Sequence, residues 1–276
     1  ITETLSSDVL SSAPGYLDHL EMTCARCTIT HTDGAIFTRW GNPDCPSGHT
    51  QVYSGYMAGT SDSSSSGSSE LMCLTSEMSL HMWSLTSTAS IHIYRVELAD
   101  SSSLPWMAGS NHKDVMCSVC QAPDRSWPLS LPGRNDCPSG FTLDYSGYLM
   151  ANRNDLYRTQ YICIDSSTSG IEGTEQDTTS ATLYPVETRG SVGSYVDARE
   201  LTCAQCSSAI GPTYVRWGRT TCPPASTLVY AGRGAGGGNQ RGSGYNYLCL
   251  PGEPVYDEFS AGASSGAHLY RLELTL

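Results

Sequence analysis

Twelve cysteines carry the plainest chemical signal in the chain. They fall in three groups of four: Cys24, Cys27, Cys45, Cys73; Cys117, Cys120, Cys137, Cys163; and Cys203, Cys206, Cys222, Cys249. Each group reads C-x2-C, then 15 to 17 residues, a third cysteine, then 25 to 27 residues and a fourth. Thiols at this spacing can oxidise to disulfides or ligate zinc. A four-thiolate zinc ribbon supplies its second pair as another tight C-x2-C, whereas here the last two cysteines stand far apart. An even number of cysteines at repeated spacing reads instead as a disulfide framework, which persists only in oxidising compartments. All twelve are expected in bridges that staple each group within itself, with three pairings open per group. No metal site is expected.

Other residue patterns promise less. Gly262-Ala263-Ser264-Ser265-Gly266 matches the nucleophile-elbow pattern, but it lies in a small-residue loop before a β-like segment and not between a strand and a helix. Gly232, Gly234 and Gly237 match a dinucleotide fingerprint, yet the residues after Gly237 make a poor helix, with no N-terminus to receive a pyrophosphate. His92 and His268 occupy equivalent places in a repeated segment and read as packing residues. His19, His31, His49, His81 and His112 form no H-x-H or H-E-x-x-H pair. No catalytic residue and no cofactor is expected. The Arg39-Trp40-Gly41 and Arg216-Trp217-Gly218 steps say more, because adjacent strand side chains face opposite ways. Either the indoles fill cores while the arginines pair with acids such as Glu97 and Glu273, or one of the two groups is left outside as a contact. Indole and phenol faces stack on sugar rings, and guanidinium bonds their hydroxyls. Arg39, Trp40, Tyr56, Tyr148, Arg216, Trp217 and Tyr245 are therefore the candidate ligand-binding residues. The balance of 16 Tyr against 3 Phe points the same way, since tyrosine keeps a polar handle at half-wet sites.

These residues sit in a sequence that repeats. Thr38-Arg39-Trp40-Gly41 answers to Val215-Arg216-Trp217-Gly218, each leading into a Cys-Pro step at Cys45-Pro46 and Cys222-Pro223. Tyr53-Ser54-Gly55-Tyr56 recurs as Tyr145-Ser146-Gly147-Tyr148 and as Tyr230-Ala231-Gly232. Ile91-His92-Ile93-Tyr94-Arg95-Val96-Glu97-Leu98 matches Ala267-His268-Leu269-Tyr270-Arg271-Leu272-Glu273-Leu274. Shared residues over three copies indicate a duplicated unit of roughly 90 residues. Runs rich in Val, Ile, Thr and Tyr at residues 35–40, 50–57, 71–74 and 91–98 read as strands. Residues 77–85 are the best helical candidate, and the Met-rich stretch 70–83 with Met72, Met78 and Met82 reads as core filler. Residues 61–69 and 232–244 read as surface loops. The expected fold is all-β: three tandem, disulfide-stapled antiparallel modules at residues 1–103, 104–190 and 191–276, with seams at 100–111 and 189–194.

The residues Tyr214-Val215-Arg216-Trp217-Gly218, Cys222-Pro223 and Tyr245-Asn246-Tyr247-Leu248-Cys249-Leu250-Pro251, with Cys117-Ser118-Val119-Cys120, Leu131-Pro132-Gly133-Arg134-Asn135 and Tyr195-Val196-Asp197-Ala198-Arg199-Glu200-Leu201-Thr202-Cys203, carry a resemblance. The chain resembles, from about residue 16 to 276, a cysteine-rich extracellular module of marine invertebrates. That module is usually labelled short-chain collagen-like, after the non-collagenous C-terminal part of sponge-type short-chain collagens. The resemblance implies secretion, disulfides and an extracellular role, and it carries no catalytic residue. This chain has no Gly-X-Y run, so it forms no collagen triple helix.

Charge narrows the partners. A formal charge of −12 and pI near 4.9 argue against a phosphate-binding face and hence against nucleic acid. No apolar run approaches the ~18 residues of a membrane helix, so no membrane insertion is expected. The chain opens at Ile1 without a charged and apolar leader, which reads as a mature secreted form. Three functions fit: a secreted multivalent binder of glycans or matrix components; a structural matrix, mucus or adhesive protein; or a carrier or cofactor-independent, luciferase-like oxidase holding a small aromatic ligand in an apolar cavity.

Overall fold

A computed structural model describes residues 2–4, 21–29, 33–62, 68–77, 80–81, 91–99, 105–153, 155–157, 160–174, 180–191, 194–238, 244–260 and 266–273. The described chain is all-β, with no α-helix. Its strands are β1 (Thr2–Thr4), β2 (Glu21–Met22), β3 (Gly34–Trp40), β4 (Thr50–Gly59), β5 (Met72–Thr75), β6 (Leu80–His81), β7 (Ile91–Leu98), β8 (Met116–Pro123), β9 (Trp127–Pro132), β10 (Phe141–Ala151), β11 (Ile162–Asp165), β12 (Ala181–Thr188), β13 (Thr202–Ser208), β14 (Gly232–Gly236), β15 (Leu248–Pro251) and β16 (Ala267–Arg271). All belong to one mixed sheet in the order β15-β14-β16-β12-β10-β11-β3-β8-β4-β7-β1-β2-β6, with β5, β9 and β13 paired off that path. In place of the three separate antiparallel modules expected, the strands form a single sheet.

The Tyr-x-Gly steps explain the local pairing. β4 pairs antiparallel with β5 and β7, β10 with β11 and β12, and β14 with β15 and β16. The registers correspond: Gly55 faces Thr75 and Met57 faces Cys73; Gly147 faces Asp165 and Leu149 faces Cys163; Gly232 faces Pro251 and Gly234 faces Cys249. Glycine is required at each step by close approach of the facing strand. A Cβ would lie 1.8 Å from the Leu74 carbonyl oxygen at Gly55, 1.8 Å from that of Ile164 at Gly147, and 1.9 Å from that of Leu250 at Gly232. The preceding tyrosine closes the same hairpin. Its hydroxyl donates to the carbonyl of Cys73 from Tyr53 (3.1 Å), of Cys163 from Tyr145 (3.0 Å) and of Cys249 from Tyr230 (2.8 Å). Gly232–Gly236, expected as part of a loop, is thus a strand. The missing side chains that depress strand propensity are what let the backbones approach.

The C-x2-C segments do not staple their own groups. β8, bearing Cys117 and Cys120, lies between β3 and β4. β13, bearing Cys203 and Cys206, lies between β9 and β10. Both β4 and β10 take a register shift at the same place, between Gln51 and Tyr53 and between Leu143 and Tyr145. The bridges follow: Cys73–Cys117, Cys45–Cys120, Cys163–Cys203 and Cys137–Cys206. In each case the first cysteine of a C-x2-C joins the fourth of the group before, and the second joins the third. Stapling within groups is therefore corrected, because adjacent sulfurs come from strand insertion and not from nearness in sequence. Eight cysteines are bridged, whereas Cys24, Cys27, Cys222 and Cys249 are unpaired thiols.

Parallel pairs join what the antiparallel hairpins leave separate. β12 lies parallel to β7 along its first half, Ala181 facing Val96, and parallel to β16 along its second, Val186 facing Ala267. β11 meets β3 in parallel at Ile164 and Trp40. The core follows these joints. Met57, Val96, Leu98, Met150, Ile164 and Leu183 form one buried cluster, and Phe37, Leu149, Val186, Leu201, Leu250 and Leu269 belong to a second. The helical candidate 77–85 is largely outside the described residues, and its described part includes Leu80–His81 of β6. The elbow-like serine, His19, His31, Met78 and Met82 also lie outside them.

Candidate functional site

The third cysteine group differs from the first two at one position in the sheet. β4 begins at Thr50 and β10 at Phe141, four to five residues after the third cysteine of each group, and both have an inserted C-x2-C strand alongside. The equivalent residues after Cys222 form no strand pair among the described residues, and β14 begins only at Gly232. Its described strand partners are β15 and β16. Residues 212–217, which correspond to β3 and β9, are likewise not a strand.

The local frame is nonetheless in place. Arg39 Nη1 donates to the carbonyl of Asp44 (2.7 Å), and Arg216 Nη1 donates to that of Thr221 (3.0 Å), the residue before the third cysteine in both. Turns after the Cys-Pro steps close alike, from His49 N to Pro46 O, Phe141 N to Pro138 O and Ser226 N to Pro223 O. Missing the strand, this frame shows water its apolar side chains: Tyr214 is 59% exposed, Trp217 50% and Leu228 50%. Large apolar groups in one contiguous exposed region mark an interaction surface.

The first C-x2-C has the opposite defect. Residues 23–29, including Cys24 and Cys27, are all exposed and run without strand pairing after β2. The equivalent β13 is buried throughout and β8 nearly so. Among the described residues, one C-x2-C segment thus lacks a groove and one groove lacks a strand. Four thiols at these two places can form two disulfides under oxidation. Burial pushes the Cys249 thiol up, against a hydrogen bond from Tyr230 that lowers it, so Cys249 stays protonated at neutral pH.

The seven candidate ligand residues do not converge. Arg39 pairs with Asp165 at 2.7 Å, not with Glu97, and Trp40 packs part-buried on the same core cluster as Tyr148. Tyr148 itself stacks on Trp106 with ring centroids 3.8 Å apart. Tyr56 lies under the Arg95 guanidinium, 4.2 Å from its ring centroid. Tyr245 stacks on Tyr161 at 5.0 Å and donates its hydroxyl to the Asn152 carbonyl at 2.9 Å. Trp217 meets Tyr247 edge-on at 6.4 Å and belongs, with Arg216, to the open groove. Glu273, expected as a partner of the Arg-Trp-Gly arginines, pairs instead with Arg271 at 2.8 Å, and Arg216 donates to the Thr221 carbonyl.

Two features escape the sequence reading. A cleft between β14, β16 and Tyr195 gathers Arg189, Arg233 and Arg271 with Tyr270. Leu250, Leu269, Ala235 and Gly234 line it beside the three arginines, so an apolar floor carries a basic rim. Glu200 also gathers near Glu187 and Asp257 in the interior, with Ser260 Oγ donating to it. Burial raises its carboxyl, and the two acid neighbours raise it further. Neither feature has a local signal, since the arginines and the acids each come from separate stretches of chain that only the sheet brings together. No protein-family model matches the chain.

Proposed function

We propose that this protein is a secreted structural component of an extracellular matrix, mucus or adhesive, built from three like units whose job is cohesion. The observation that carries the reading is the insertion of each buried C-x2-C strand into the preceding group, fixed by two disulfides. Four bridges suit an oxidising compartment. The sequence divisions 1–103, 104–190 and 191–276 become units that each lend a strand to the one before, so pulling on the chain loads cross-links and not loops alone. The resemblance to short-chain collagen-like modules supports the same setting. No described helix is long and apolar enough to cross a membrane. The test is extraction of the native tissue or secretion: the protein stays in the detergent-insoluble extracellular fraction and is released by dithiothreitol. Full recovery in the soluble fraction without reductant counts against cohesion.

Multivalent glycan or matrix recognition is the second reading, favoured by Arg189, Arg233 and Arg271 around one cleft with Tyr195 and Tyr270. Arg233 lies over the Tyr195 ring at 5.3 Å, a guanidinium-on-phenol surface suited to a carboxylated or sulfated sugar. An array of acidic glycans tests it, with Arg233→Ala expected to remove any binding seen.

A further inference from the structure

We infer that residues 23–29 of one copy enter the open groove of a second copy as a strand, locked by Cys24–Cys249 and Cys27–Cys222 between the two chains. This deepens the cohesive reading by naming the partner, a second copy of this chain, and the contact. The register comes from the two insertions already formed. Cys117 faces Trp40 and Gly55, and Cys120 faces Phe37 and Gln51. Cys203 faces Pro132 and Gly147, and Cys206 faces Leu129 and Leu143. Carried to the third group, Cys24 stands opposite Trp217 and Gly232, and Cys27 opposite Tyr214 and Leu228. The pairing rule seen in all four bridges, first to fourth and second to third, then puts Cys24 on Cys249 and Cys27 on Cys222.

Three further observations fit. Between its two cysteines the arm offers Ala25, where the inserted strands carry Ser118 and Ala204, both fully buried, so the side chain facing inward is small enough. The strand would cover Tyr214, Trp217 and Leu228, which are half-exposed or more. The groove is next to β14 and β15 and the arm follows β2, and within the chain the two leave all four of their thiols free. Two complementary surfaces that do not meet within one chain make a heterologous contact between copies, which repeats into open chains unless its rotation closes a ring. A second copy is therefore the occupant that brings these free thiols together.

The bond chemistry balances with a disulfide oxidant such as oxidised glutathione. An exposed arm thiolate attacks the oxidant and releases one glutathione thiolate, leaving a mixed disulfide. The thiol of the second copy then loses its proton to solvent and displaces the second glutathione. Per bridge, two protein thiols give up two electrons and two protons, and one glutathione disulfide becomes two thiols.

The experiment uses the full chain, half of it 15N-labelled, incubated in a glutathione redox buffer and mapped without reduction. Expected are a ladder at multiples of 29.6 kDa and linked peptides Cys24–Cys249 and Cys27–Cys222, about half of them pairing a labelled with an unlabelled chain. Two variants sharpen the result. Cys24→Ser with Cys27→Ser keeps only the groove, and Cys222→Ser with Cys249→Ser keeps only the arm. Each alone stays monomeric with its four internal bridges, and the 1:1 mixture stops at a covalent dimer. A Cys24–Cys27 bridge, swapped linkages, or linked peptides drawn from single chains only would overturn the inference. So would a mixture that stays monomeric while the wild-type ladder is absent. A dimer with this linkage from a protein that extracts freely from tissue would sink the matrix reading and leave the strand exchange standing.

Discussion

Tyr145 and Gly147 show how much one residue can fix. Burial pushes the Tyr145 phenol far above its ordinary value, so it remains a neutral donor to the carbonyls of Cys163 (3.0 Å) and Thr38 (3.3 Å). Tyr145→Phe leaves both acceptors short of a donor and should cost about 1 kcal/mol, read as a lower urea midpoint. Gly147→Ala puts a methyl against the Ile164 carbonyl and should cost about 3 kcal/mol, since backbone on both sides must move. Ala225 shows the reverse. It adopts φ of 66° where Gly48 and Gly140 sit at 82° and 87° in the matching turns. A left-handed alanine is strained, so Ala225→Gly should gain about 1 kcal/mol in the same assay. The sequence exposes the equivalence of these positions through its repeated motifs. It does not reveal the close backbone approach, which depends on where the facing strand lies.

At the level of elements, the strands at residues 34–40, 50–59 and 91–98 could be read directly, because β-branched and aromatic runs bounded by turn residues have few alternatives. The glycine strand 232–236 could not, having no side chains to report a face. Bridge pairing was also hidden. Spacing says which cysteines repeat but not which sulfurs meet, and a strand that inserts into its neighbour reverses the local expectation. The Cys163–Cys203 bridge closes a loop over a separation of 40 residues. Replacing both cysteines by serine should cost about 4 kcal/mol by the chain-entropy account. Because that bridge joins two groups, hydrogen exchange should quicken together in β10, β11 and β13, and not in β11 alone.

Across the whole molecule, joining like hairpins through parallel strands buries charge. Arg95 meets Asp114 at 2.6 Å inside the protein, His49 meets Asp144 at 2.9 Å, and Glu200 stands among other acids. Burial is the largest influence on Asp114, Asp144 and Glu200, and it raises all three carboxyls despite lowering contacts from Arg95, from His49 and Ser207, and from Ser260. A raised carboxyl binds its proton more tightly folded than unfolded. Its contribution is fully present below the ordinary values of 3.8 to 4.5 and is lost as pH rises through the folded value. As far as these groups act, the melting temperature should therefore fall from mildly acid to neutral pH. Glu200→Gln keeps the oxygen that accepts from Ser260, and should raise the neutral melting temperature and flatten that slope.

What the amino-acid order determined by itself was local and chemical: strands where the β-rich runs lie, oxidised sulfur as the covalent chemistry, and threefold likeness of motif. What only the tertiary structure decided was connection. Which sulfurs touch, which strand fills which groove and which arginine meets which acid depend on surfaces brought together over 19 to 126 residues. Those meetings are set by the packing of the assembled sheet, and neighbours along the chain carry no record of it.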